Sequence, residues 1–216
     1  MNVTGTVAVT REARPQGNKP DHSNAVIWLK PANGSALETP RPTAGQFEMR
    51  QQHKRFEPHL LAVPAGSTVS FPNLDPFFHN VFSMFDGKRF DLGLYEAGAS
   101  HSVKFDRAGV CYIFCNVHPE MSGLVVVLDT PYYAVTNRRG EFTMAEVPAG
   151  RYLLSVWHER GKPAVAADFP RAVSISPENA VLAPIRLRDT GQLFVPHKNK
   201  YGADYESPAP KGLVYK

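Results

Sequence analysis

Cysteine is scarce in this chain, with only Cys111 and Cys115 among 216 residues. Both fall on one apparent strand, where the rise per residue sets them about 13 Å apart. A disulfide needs Cα atoms within about 7 Å, so none is expected between them. No stretch reaches the roughly 20 apolar residues of a membrane helix. Charge of one sign is scarce too. A net charge of +4 is spread over short clusters such as Arg138-Arg139, without the basic stripe or aromatic signature of a nucleic-acid binder. No nucleic-acid partner is expected. The Gly-x-Ser-x-Gly elbow, Walker-type glycines and a His-Glu-x-x-His helix are missing as well, so no enzyme signature competes. The chain also lacks the charged start and apolar core of a secretory leader. Met1 can stand where a leader was removed, so this absence does not argue for the cytoplasm.

What is present favours short strands. Hydrophobic residues make up 43% and charged residues 20%, the balance of a globular protein. Nineteen prolines and sixteen glycines punctuate runs rich in Val, Phe and Tyr. The length suits two compact domains of roughly 100 residues each, or one larger one. "VTGTVAV" and "NAVIWLK" read as strands, followed by a Pro/Gly/Thr linker ending near Gly45. From Gln46 to Asp129 short apolar runs succeed one another, "LYEAGASHSV" alone leaving room for a helical turn. After Pro131 two hairpins follow, with turns at Asn137–Gly140 and Pro148–Gly150. Two further strands complete the pattern before a polar tail. The expected class is all-β, built from two β-sandwiches.

One constellation stands out. Cys115, His118 and Met121 have the spacing C-x2-H-x2-M, which gathers a thiolate, an imidazole and a thioether on one loop. Two His and one Cys with a weak axial Met is the donor set of a copper electron-transfer site. Zinc takes Cys and His but has little affinity for a thioether, so Met121 argues against it. A second His should come from another strand, so that the sandwich holds the geometry. His79, after "STVSFPNLDPFF", is the candidate. Four protein ligands would leave a metal no open position for a small-molecule substrate. The plainer alternative is a sandwich whose Cys and His are ordinary core residues.

The segment "FEPHLLAVPAGSTVSFPNLDPFFHN" resembles the first half of a cupredoxin, and "GVCYIFCNVHPEM" resembles its copper loop. The short loop with Pro119 directly after the His is most similar to that of the amicyanins. The resemblance covers residues 46–129 and implies a Greek-key sandwich. It further implies one type 1 copper per chain, held by His79, Cys115, His118 and Met121. Asn80 would be the residue tying the two ligand segments together. Phe77, Phe78, Pro119 and Gly123 would form a small apolar docking rim around His118. The C-x3-C spacing also occurs in binuclear purple copper centres, but those need a longer gap between the second Cys and the His. Cys111 is instead expected as a small buried side chain. The other histidines are expected to be structural, with His59 and His158 the two worth inspecting for a second metal site.

"TNRRGEFTMAEVPAGRYLLSVWHE" resembles the second half of a carboxypeptidase regulatory-like, or transthyretin-like, sandwich. That family's first half is matched by "TGTVAV" and "NAVIWL", far upstream. Insertion reconciles the two resemblances. Residues 1–43 and 131–190 would form one sandwich, residues 44–130 the cupredoxin inserted into it, and residues 191–216 an extended tail. A plain tandem is the alternative. Together the resemblances imply a periplasmic or secreted carrier of single electrons. Its partner would be a c-type cytochrome or a membrane oxidoreductase. Copper storage, delivery or resistance is the rival reading, and an interaction module with a vestigial site is a third.

Overall fold

The computed structural model describes residues 1–10, 21–32, 43–84, 88–163, 169–191 and 199–205. Most of the Pro/Gly/Thr linker and of the C-terminal tail lies outside the described residues. The chain begins with β1 (Val3–Thr10) and β2 (Val26–Pro31). Short strands β3 (Gln46–Glu48), β4 (Arg50–Gln52) and β5 (Arg55–Glu57) come next. The longer β6 (Leu60–Pro64), β7 (Ser67–Pro72), β8 (His79–Ser83) and β9 (Phe90–Tyr95) follow. β10 (Ser100–Phe105), β11 (Gly109–Phe114) and β12 (Ser122–Leu128) close the middle segment. The last part holds β13 (Tyr133–Val135), β14 (Glu141–Met144), β15 (Gly150–Trp157), β16 (Gly161–Pro163), β17 (Arg171–Ile175) and β18 (Ile185–Asp189). Among the described residues there is no helix. The stretch considered for a helical turn is instead β9, a tight turn and β10. Gly98, at φ +80°, and a bond from Ala99 N–H to Glu96 C=O make that turn.

The middle strands pair among themselves. One sheet runs β6-β12-β11-β8-β9, another β10-β7-β3, and β4 pairs with β5. The strands on either side of this segment pair with one another instead. β1 lies between β14 and β18, and β2 between β13 and β15, giving the sheets β14-β1-β18-β16 and β13-β2-β15-β17. The chain therefore leaves this pair of sheets after Pro31 and rejoins it at Tyr133.

Three apolar clusters follow from the side-chain period of two. Val7, Ile27, Leu29, Phe142 and Leu154 belong to the core between the two flanking sheets. Val69, Phe71, Val81, Ile113, Val125 and Val127 belong to the core of the middle sandwich. The third cluster joins the two. Leu60, Ala62, Leu124, Val126 and Leu128 pack with Val26, against half-buried Trp28, Tyr133 and Trp157. β12 is thus covered on both faces, odd positions facing its own core and even positions the neighbouring sandwich. That explains "GLVVVL", an unbroken apolar run where a half-exposed strand would alternate. Burial of each such Val or Leu is worth about 1.5–3 kcal/mol.

Candidate metal centre

His79 opens β8, a strand buried at every position. The turn before it, Asn73–Phe78, is locked by its own side chains. Asn73 Nδ2 donates to Phe77 C=O at 2.8 Å, and Asp75 N–H donates to Asn73 Oδ1 at 3.1 Å. This turn brings Asp75 beneath the imidazole, with its Oδ2 2.8 Å from His79 Nε2. The carboxylate also accepts from His53 N–H at 2.8 Å and Lys54 N–H at 2.9 Å. Burial pushes Asp75 up, but the Lys54 N–H, His79 and His53 N–H bonds outweigh it and hold it below the usual carboxylate range. An ionised carboxylate can only accept, so Nε2 of His79 carries the proton. Nδ1 keeps its lone pair for a metal.

That lone pair faces Cys115. Sγ lies 3.7 Å from His79 Nδ1 and 3.6 Å from His118 Nδ1. The three ligating atoms all fall within 4.8 Å of one another. With metal–nitrogen bonds of about 2.0 Å and a metal–sulfur bond of about 2.3 Å, angles between tetrahedral and trigonal give N···S separations of about 3.5–3.7 Å. Both N···S separations suit a single shared ion. Met121 closes the loop, its N–H bonded to His118 C=O at 3.0 Å and its C=O accepting from Cys115 N–H at 3.2 Å. Its buried side chain shares the core cluster of Cys115. A thioether joining these three donors would favour copper over zinc.

Burial pushes the Cys115 thiol up, against backbone N–H groups of Asn80, Val117 and His118 that pull it down. A metal must therefore displace a proton from sulfur. Burial lowers His118, and the nearby Lys54 ammonium lowers it further against the Asp75 carboxylate, which favours the neutral, ligating form of the ring. Phe77 braces both rings, its centroid 5.2 Å from His79 and 5.7 Å from His118, with the Lys54 ammonium 5.4 Å from its own ring centroid.

Asn80 contacts Cys115 through its backbone N–H, whereas its side chain turns to β9. There Nδ2 donates to Asp91 Oδ1 and Gly93 C=O, each at 2.7 Å. Of the four residues expected at the rim, Phe78 is 54% exposed and Pro119 is exposed, while Phe77 is half-buried against the ligand rings. Gly123 does not belong there. It lies buried in β12 opposite Ile113, and a Cβ on it would meet Phe56 Cβ at 2.9 Å and Met49 Sδ at 3.2 Å. The glycine is needed for close packing, not for docking. Exposed Leu74 and Val117 extend the apolar surface instead.

Cys111 is free and buried, its thiol bonding weakly to Ser83 Oγ at 3.3 Å and Lys88 C=O at 3.5 Å. His59 and His158 are engaged elsewhere. His59 bridges Ser122 C=O at 3.2 Å and Glu159 Oε2 at 2.9 Å, linking the two sandwiches beside the ligand loop. His158 bonds Ser23 C=O and Arg160 N–H. His22 accepts from Val9 N–H, His101 packs against Tyr95 with the rings tilted at 55°, and His197 lies outside the described residues. Two contributors escaped the sequence reading. Asp75 was visible only as part of an Asn-x-Asp-Pro turn. Tyr205, far along the chain, lines a cleft of about 590 Å³ with Lys54, His118, Pro119 and Met121.

A β-sandwich whose strand end and ligand loop converge as His, Cys and His, with a buried Met beside them, defines a metal-binding protein of the cupredoxin class. Residues 44–128 match the copper binding proteins of the plastocyanin/azurin family. Amicyanin-alpha of Methylorubrum extorquens is 30% identical over 99 residues, spanning 44% of this chain and 83% of that protein. The chain belongs to the plastocyanin/azurin family of copper binding proteins. Among solved structures, a purple cupredoxin from Nitrosopumilus maritimus is 28% identical, covering 39% of this chain and 99% of its own, at a TM-score of 0.35. A reduced amicyanin variant is 25% identical, covering 44% and 98%, at a TM-score of 0.36.

Proposed function

We propose that this protein carries single electrons outside the cytoplasm, through one type 1 copper that His79, Cys115, His118 and Met121 would hold. The observation that carries the reading is the convergence of two imidazole Nδ1 atoms on one buried thiol, with His79 already oriented by Asp75. When bound, copper supplies a one-electron couple of the kind this donor set favours. The residues supply a fixed frame. His79, at the start of β8, and Cys115, directly after β11, are fully buried, so the ligands have little freedom to move when the site changes charge. His118 stands at the loop beside exposed Pro119, Val117 and Phe78, which gives electrons a short way out to a partner. Redox encounters bury little surface, below about 1,200 Å², and this patch suits such a contact. A c-type cytochrome or a membrane oxidoreductase in the periplasm, or reached after secretion, is the partner class we propose.

The strand pairing supports reading the middle segment as a cupredoxin inserted into a carboxypeptidase regulatory-like sandwich, formed by residues 1–43 and 131–190. The flanking sandwich would then serve as docking or anchoring surface. No catalytic role is proposed for either part.

Copper titration tests the central claim. Cu(II) should bind one per chain and produce an intense thiolate-to-copper absorption that a mild reductant bleaches. Cys115→Ser should abolish the colour with the sandwich still folded, and Cys111→Ser should keep it. Loss of colour in the Cys111 variant would return the binuclear alternative. Ready release of Cu(I) to a chelator, without reversible cycling, would favour delivery or storage.

A further inference from the structure

The tail returns to the metal centre. After a gap in the described residues, Asn199–Tyr205 lies against the ligand loop. The segment is shaped by one side chain. Asn199 Oδ1 accepts from Tyr201 N–H and Ala203 N–H, each at 3.0 Å, and Asn199 N–H donates to Ala203 C=O at 2.8 Å. Gly202, at φ +78°, completes the turn. Three bonds then tie it to the copper domain. Lys200 N–H donates to Asn116 Oδ1 at 2.9 Å, and the Lys200 ammonium meets Asp91 Oδ2 at 2.8 Å. The Tyr205 hydroxyl donates to the backbone carbonyl of Cys115 at 3.1 Å. Asp91 is also the acceptor for Asn80 Nδ2. The turn thus reaches both chain segments that flank the thiol.

We propose that Asn199–Tyr205 is a clasp on the ligand loop and that Tyr205 is a positioning residue for the copper site. The proposal rests on the copper reading above. Tyr205 does not touch the metal position; it acts through Cys115. A carbonyl oxygen beside the site favours its more positive, oxidised form. The positive end of the Tyr205 O–H dipole opposes that, and the ring keeps water from the loop. Both effects favour the reduced form, since hydrogen bonding and solvent access around a ligand tune the metal's potential. The clasp also restrains the loop before any metal arrives, because Asn116 and Cys115 are held from outside in the free protein.

Two variants of the full chain test this, Tyr205→Phe and Asn199→Ala. The second dissolves the turn while leaving the phenol in place. In the metal-free protein both should speed hydrogen exchange at the Cys115 and Met121 amides by about fivefold, the size of one lost hydrogen bond. Alkylation of Cys115, resolved from Cys111 by peptide mapping, should accelerate similarly. In the copper-loaded protein, Tyr205→Phe should lower the potential, cutting the reduced-to-oxidised ratio at a fixed ambient potential by about fivefold. Wild-type exchange and alkylation in both variants would overturn the clasp. A loosened loop with an unchanged potential would overturn the positioning role of Tyr205. If the wild-type chain takes up no copper, the copper reading fails, whereas the metal-free measurements still decide the clasp.

Discussion

Replacing Asp75 with Asn tests the centre where its electrostatics are most concentrated. The carboxylate is 7% exposed and lies 2.8 Å from His79 Nε2. Across the imidazole and a metal–nitrogen bond of about 2.0 Å, its charge sits about 7 Å from a copper at the site. With an effective dielectric near 20, one unit of charge at that distance is worth about 2.4 kcal/mol. Copper(II) with a thiolate leaves one net positive charge, and copper(I) leaves none, so Asp75 stabilises the oxidised form by that amount. Since a tenfold change for one electron is about 59 mV, Asp75→Asn should raise the potential by about 100 mV. Affinity should fall too, by about 10–100-fold, the usual cost of losing the partner that orients a ligating His. Asn retains the size but cannot satisfy Lys54 N–H, His53 N–H and His79 with the same two oxygens. Voltammetry on a film of the protein and competition against a copper chelator read the two effects separately. An unchanged or lowered potential would refute this account of the buried carboxylate.

Other perturbations address other parts of the molecule. Met121→Leu should raise the potential, because removing a weak axial donor destabilises Cu(II) more than Cu(I), and voltammetry shows the sign. Phe78→Lys should leave the colour intact and slow electron self-exchange, measured by line broadening, since Phe78 is exposed whereas Phe77 braces the ligand rings. Glu159 raises the pKa of His59 through its side-chain bond, against desolvation. The stabilisation is complete below the unfolded value of about 6.5 and is lost as pH rises through the higher folded value. Urea midpoints should therefore drop on passing to alkaline pH, and Glu159→Gln should flatten that dependence. Residues 44–130 expressed alone should bind copper but self-associate through Leu60, Leu124 and Val126, which sedimentation would reveal.

Ligand type and strand pattern made much of the centre legible in sequence. Cys115 and His118 declare themselves because loop neighbours in the chain remain neighbours in space. His79 could be found because a strand end is a fixed place in a sandwich. Asp75 could not, since its meaning depends on a turn that folds it back under its own fourth neighbour and on two backbone amides from the turn between β4 and β5. Tyr205 reaches Cys115 from the far end of the chain, where no local pattern signals contact. Gly123 was misplaced by counting from the loop. Strand β12 already runs at Ser122, and its alternation turns position 123 inward.

The interleaved strand order constrains how the molecule is built. As the chain emerges, β1 and β2 have no partners of their own, because β13, β14, β15 and β18 have yet to be synthesised. The middle strands can pair among themselves first. Once they do, Lys30 and Asp129, which meet at 2.7 Å, mark two chain ends already brought together. A long and entropically costly loop becomes a short one, and the outer sheets close by local pairing. Until then the apolar strands β1 and β2 wait as unpaired edges. A mutation that delays the middle sandwich would thus be felt first as aggregation of the outer one, although none of its own residues had changed.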